Sequence, residues 1–442
     1  MNVVMPTTAR ARNVAAPRAA QVSLGQLLTL LFSFALWIPG VGVPAGATHG
    51  IQLAELLAAP LALWLFATRR NTFDRNGVSM LIGVFVILLN WLFVFIANRQ
   101  VAQSGAILGY YVAIVFPTLI VGVLVFGDEK LTNTFIRGAV AGAVFTSVLC
   151  LAQAVLPKTV TDFRNNLSFR LPPQGNRTFG LFPEASIAAG TLTFAIGVAI
   201  AGLFDRTVRE RYLELGPFRG KGWAASLLAL FIAALLSTRS SSVMVMLPVL
   251  AFVSSHRFFR GSLGKKLAYA ATGTVALALG GAFYYVEIYS ARMENSAAVY
   301  SGADRLVSIV GAYEKLRDSD FLGAGLGANN DIAAYANRAA GELELPTSGD
   351  IQGVNSFVFG RCLEEGLVMI AVFIVAIVRI GRAAVSRERV VTSGVLVLLA
   401  VNTLFNAMWI AGYRGLLMFW LLIPLSFALK RPRQATEGPA LA

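Results

Sequence analysis

Two histidines and two cysteines among 442 residues leave this chain almost nothing from which to build a metal centre or a disulfide framework. Cys150 and Cys362 both stand in apolar context and read as core cysteines. Charge is scarce too: 14% of residues are charged against 56% hydrophobic. A soluble protein of this length could not hide so much apolar surface, whereas a bundle of transmembrane helices exposes it to lipid. The acids are scarcest, 23 Asp and Glu against 37 Lys and Arg, for a net charge of +14. In a soluble protein that excess points to nucleic acid. Here the basic residues fall between hydrophobic blocks, which argues against nucleic acid and makes the lipid bilayer the partner.

The apolar blocks predict an all-α polytopic integral membrane protein with about twelve transmembrane helices. They lie at residues 24–38, 51–67, 78–97, 105–126, 134–156, 183–204, 223–236, 241–255, 267–287, 354–378, 391–409 and 412–429, the seventh and eighth being short. Residues 1–22 form a basic tail and 23–289 hold spans one to nine. Residues 290–353 form a large extramembrane loop before the tenth span. Spans ten to twelve occupy 354–429, and 430–442 form a second tail. The late start of the first apolar run, with no small-residue cleavage site after it, speaks against a signal peptide.

Orientation follows from the basic residues. An even number of spans puts both termini on one side, and that side holds 24 of the 37 lysines and arginines. The other side holds 13, although it carries the two longest loops. The positive-inside rule makes the richer side cytoplasmic. In a bacterial inner membrane the 290–353 loop is then periplasmic, as the lid or wall of a site.

Arginines on the poorer side run against that bias and need a reason. Arg164, Arg170 and Arg177 share one loop, Arg239 sits in the short loop LSTRSSS, and Arg305 lies in the long loop. Arg361 and Arg414 stand near the starts of later spans. Snorkelling to headgroups or pairing with Asp and Glu explains about half of such residues. The alternative is a phosphate site, because guanidinium is planar, permanently charged and bidentate toward phosphate oxygens.

Four stretches carry a family resemblance. NRTFGLFPEASIAAG resembles the R-x-x-G-x-F-x-E-P-S block of bacterial exopolysaccharide and O-antigen polymerases. LLSTRSSSVMVML resembles their S-T-R-S-G turn, and DRLVSIVGAYEKLRDSDFLGAGLGANN their arginine-led helix running into P-L-x-G-x-G-x-G. NSFVFGRCLEEGLVMI resembles the block that opens the following helix. All four occur in family order, which likens the chain to the O-antigen ligase and polymerase superfamily of polytopic glycosyltransferases.

That resemblance implies polymerisation of oligosaccharide repeats carried on undecaprenyl pyrophosphate, without a cofactor and without a metal. Arg239 and Arg305 match the family arginines tied to pyrophosphate, and Arg177 is a third contact. Glu184 is the candidate base, with Asp304 and Glu364 as competitors, or else an ion-pair partner of Arg177 or Arg239. Arg164, Arg170, Asn355 and Arg414 complete the implied substrate contacts. Chain-length regulator and export proteins are further implied partners. Ligases have a histidine where this chain has Val354, followed by Asn355, and proline precedes rather than follows Glu184. Both departures favour the exopolysaccharide polymerase branch over an O-antigen ligase acting on lipid A core. A flippase of lipid-linked sugars is the rival of another class, but internal repeats and midplane charges are not evident.

Three remaining signals read as structural. Gly323, Gly325 and Gly327 lack the βαβ setting of a dinucleotide loop and predict a tight turn before the next helix. Arg164…Gly175 and Arg338…Gly349 have the R-x10-G spacing of some O-antigen polymerases, a match that glycine abundance produces by chance. Glu55, inside a predicted span, reads either as functional or as a hydrogen bond to a neighbouring helix.

Overall fold

The computed structural model describes residues 23–44, 50–68, 75–98, 104–126, 128–161, 177–182, 185–204, 206–214, 217–240, 264, 296–347, 349, 351, 353–354, 356–372 and 374–375. These are mostly helical, and four helices among them are long and apolar enough to cross a membrane. A polytopic helical protein follows. Spans expected at 241–255, 267–287, 391–409 and 412–429 lie outside the described residues, as do both tails.

In chain order, α1 (Leu24–Ala35) leads to a short antiparallel hairpin, β1 (Gly42–Pro44) with β2 (Gly50–Gln52). α2 (Leu53–Thr68) and α3 (Arg75–Ala97) follow, then α4 (Ser104–Tyr110), a π turn at Tyr111–Val115 and α5 (Phe116–Phe126). The next elements are α6 (Glu129–Val155), α7 (Lys158–Thr161), α8 (Ala185–Phe204), α9 (Arg206–Val208) and a second π turn, Arg209–Leu213. α10 (Gly220–Ser237), α11 (Ser296–Asp318), α12 (Ala333–Glu342) and α13 (Phe357–Glu365) complete the set.

Local chemistry sets these boundaries. Ser23 and Gln26 close α1 with a reciprocal capping box, and Asp128 caps α6 through the amides of Lys130 and Leu131 at 2.8 and 3.3 Å. Pro117 has no amide hydrogen for the Ala113 carbonyl and its ring crowds that oxygen. The chain answers with the π turn just before it, where Phe116 N–H reaches back to Tyr111 O. Glu55 accepts Gln52 N–H at 2.8 Å and Tyr110 OH at 2.7 Å, a helix-start and interhelix role.

The bundle core is α1, α2, α5, α6, α8 and α10, with α3 flanking α5. α1 meets α6 along a small-residue seam. A methyl on Gly138 would come within 2.7 Å of Leu30 O, and one on Gly142 within 2.8 Å of Trp37 Cβ. Trp37 is fully buried against Phe182, so the ring has nowhere to retreat. Gly142→Ala therefore costs about 1–3 kcal/mol of overpacking. The check is a lower melting temperature in detergent, while Gly109→Ala, with open space around it, does not lower it.

Connectors pair by side. Gly40 N–H bonds Leu181 O at 3.0 Å, and Thr178 N–H bonds Ser237 O at 3.4 Å. Elsewhere Arg211 pairs with Glu129 at 2.9 Å, Arg137 donates to Arg211 O at 2.6 Å and Tyr212 OH to Asn133 at 3.0 Å. Each contact joins connectors or helix ends that the charge pattern puts on the same side. Burial and the neighbouring carboxylate of Glu129 raise the Tyr212 phenol, the arginines beside it opposing them.

Candidate functional site

The first two motif blocks are packed against each other. Residues 177–182 are not helical, yet Thr178, Phe179 and Phe182 are fully buried, so their backbone groups need partners inside the protein. Ser237 supplies some: besides the backbone bond, its hydroxyl lies 2.8 Å from that of Thr178. Arg177 Nε donates to Thr238 O at 3.4 Å. Arg177 is thereby placed beside the turn that carries Arg239.

That turn closes α10. Thr238 N–H bonds the carbonyls of Ala234 and Leu235, and Arg239 N–H bonds Leu236 O at 3.1 Å. Arg239 then adopts φ +48, a left-handed conformation that a side chain with a Cβ occupies at a cost. Its side chain is exposed, while Thr238 and Ser240 on either side are buried. Arg239 is thus exposed between two buried neighbours.

The third and fourth blocks also pack together, and the 290–353 stretch is no open loop where it is described. α11 carries Asp304 and Arg305, both half-buried, and packs against α12 and α13. Val307, Ser308, Ala312 and Leu316 form its buried face. After it comes a turn with positive φ at Gly323, Gly325 and Gly327, as the glycine spacing predicts. Gly323 and Gly366 then interlock. A methyl on Gly323 would sit 2.7 Å from Glu364 O, and one on Gly366 2.4 Å from the Leu322 carbonyl carbon. Ala324 N–H to Leu363 O at 2.7 Å and Leu367 N–H to Phe321 O at 2.9 Å complete the clasp.

Beneath the clasp lies a buried charge cluster. Arg361 pairs with Glu364 at 2.8 Å and approaches Glu365 at 3.6 Å. Arg361 also donates to Tyr111 OH and lies over its ring, 5.5 Å from the centroid. Tyr111 OH donates to Glu364 Oε2 at 3.3 Å, and Asn329 N–H to Glu364 Oε1 at 3.3 Å. Both Glu364 oxygens are thus engaged away from solvent. This disfavours Glu364 as a base and makes it the tie between the glycine turn and α13. Asn90 donates to Glu365 O at 3.0 Å and Asn98 to Gly323 O at 3.1 Å, anchoring the assembly to α3.

Of the sequence-predicted site residues, the structure sets Arg177 on the turn that carries Arg239 and places Arg305 on the helix leading into the glycine clasp. Arg164, Arg170, Glu184, Asn355 and Arg414 lie outside the described residues. Arg338 stacks over Tyr335 at 5.4 Å, and Gly349 has a positive φ of 76°. Both cysteines are buried and unpaired with each other. Among the described residues, no group of three His, Cys, Asp or Glu is placed to hold a metal ion. Sequence reasoning missed Gln153, Asn90 and Tyr111, polar residues in apolar runs whose only signal was the cost of putting them there, and Asn98 just past the end of one. No protein-family model, no curated protein and no solved structure matches this chain.

Proposed function

We propose that this chain is a membrane glycosyltransferase that polymerises oligosaccharide repeats carried on undecaprenyl pyrophosphate. It works at the periplasmic face of a bacterial inner membrane, with both termini cytoplasmic, and makes exopolysaccharide or O-antigen. The observation carrying this reading is the pairing of the motif blocks: the Arg177 segment on the Arg239 turn, and the Arg305 helix and its glycine turn on α13.

In the proposed reaction the acceptor hydroxyl of a new lipid-linked repeat attacks the anomeric carbon of the growing chain. The bond from that carbon to pyrophosphate oxygen breaks, and its electron pair leaves with the pyrophosphate. The hydroxyl proton passes to Glu184. Arg239 and Arg305, with Arg177, take up the negative charge growing on pyrophosphate, where a preorganised donor gives most of its benefit. Arg164, Arg170, Asn355 and Arg414 contact the lipid-linked glycan.

The test is transfer by purified protein in detergent supplied with lipid-linked repeat. A ladder of lengthening glycans supports the proposal. Unchanged repeat, with movement of the lipid-linked sugar between leaflets after reconstitution, overturns it in favour of a flippase.

A further inference from the structure

We infer that Gln153 is a positioning residue of this transferase, an assignment that rests on the proposed function. Gln153 lies in the last turns of α6, where the surrounding sequence is apolar, and it is 3% exposed. Its side chain uses its whole hydrogen-bonding capacity on the Arg177 segment and its approach. Nε2 donates to Gly180 O at 2.8 Å and to Thr161 O at 3.0 Å. Oε1 accepts from Phe179 N–H at 3.0 Å and Gly180 N–H at 2.9 Å. Two donors and two acceptors are all that a primary amide offers, and no other side chain of that length matches the pattern.

Three of those bonds fall on Phe179 and Gly180, two and three residues beyond Arg177. Gly180 has φ +59 and passes over Thr146 and Cys150 so closely that an added methyl would lie 3.0 Å from Thr146 Cγ2. Gln153 thus fixes the height and register of the segment on α6. Thr178 and Arg177 then meet Ser237 and Thr238, and the Arg239 turn is carried in the same register. Gln153 touches no substrate in this arrangement; it acts through the placing of Arg177 and Arg239. A displacement of about 1 Å at a charge-stabilising group is enough to cost about 100-fold in rate.

The experiment uses full-length Gln153→Met and Gln153→Glu in a Cys362→Ala background, with Thr178→Val as a milder variant that removes the hydroxyl's ties to Ser237 and Cys150 and is read by kcat alone. Each is purified in detergent, and kcat and KM for lipid-linked repeat are measured per mole of monodisperse protein. Cys150, packed under Gly180, reports on the segment through its rate of maleimide labelling. The expected result is faster Cys150 labelling in the Gln153 variants with kcat down tenfold or more and KM within about threefold, and a smaller kcat loss in Thr178→Val. A purely structural Gln153 gives lower yield with unchanged kcat per folded molecule, and that overturns the assignment. If the Gln153 variants do not fold, Gly180→Ala, whose added methyl lifts the same segment off Thr146, takes their place, and an unchanged kcat there overturns the assignment. Wild-type protein without turnover contradicts the functional reading itself, and the labelling rates then still show whether Gln153 holds the segment.

Discussion

Arg239→Lys is expected to accumulate in the membrane at the wild-type level and to make no detectable polymer. Lysine keeps the charge but replaces a planar fork of donors with a single point charge on a flexible stem. Losing one preorganised donor at a developing oxyanion costs about 10²–10³ in kcat. Folding has little to lose, because the Arg239 side chain is exposed and the turn is held by Thr238 and Ser240. Arg239→Gly sharpens the contrast. At φ +48 an arginine carries a conformational cost that glycine escapes, about 1–2 kcal/mol against about 0.5–1 kcal/mol for glycine's greater chain entropy. The glycine variant therefore melts no lower than wild type while its polymer disappears. Arg305→Lys follows Arg239→Lys. Arg338→Lys is tolerated, since a lysine can take over the cation–π contact with Tyr335. Equal tolerance at residues 239, 305 and 338 would make these arginines headgroup anchors and nothing more.

The largest stability effect is expected at Arg361, not at any residue of the proposed pyrophosphate site. Its guanidinium is 5% exposed and its partner Glu364 3% exposed, so neither charge has water to fall back on. Arg361→Met removes the cation and leaves Glu364 and Glu365 facing each other in a dry interior. Breaking a buried pair in this way costs about 3–5 kcal/mol. The clasp between Gly323 and Gly366 hangs on the same residues, so the glycine turn loosens with it. Arg361→Met/Glu364→Gln recovers part of the loss, because the amide can still accept from Tyr111 without demanding a countercharge. Melting of the three proteins by fluorescence-detected size exclusion checks this order. A wild-type melting temperature for Arg361→Met alone would mean that the cluster does not hold the fold.

Apolar runs made most helices legible. The expected 183–204 and 78–97 spans are α8 (Ala185–Phe204) and α3 (Arg75–Ala97), displaced by two or three residues at most. The seventh block looked short because its first turn hides in a basic connector; the helix starts at Gly220 and is long enough to span. Hydropathy could not show that the 354–378 run is interrupted. The break at Gly366 comes from a backbone clasp, to which side-chain polarity is blind. The π turn before Pro117 escaped as well, although the proline that causes it stands in the sequence.

Site residues were less legible. Arg177 and Arg239 stand 62 positions apart and meet only because α6, α8 and α10 pack side by side. Glu364, read as a competing base, is satisfied from all sides once Tyr111 and Asn329 fold onto it. Gln153 gave no motif at all.

The most direct measurement of the central claim is arginine footprinting of the native protein. Phenylglyoxal modification, read by mass spectrometry with and without undecaprenyl pyrophosphate, follows every arginine at once without a substitution. A pyrophosphate site at these arginines predicts that Arg177, Arg239 and Arg305 are protected together by the lipid pyrophosphate, while Arg206 and Arg338 react at unchanged rates. Unchanged modification of Arg239 and Arg305 at a saturating concentration of the lipid would contradict it.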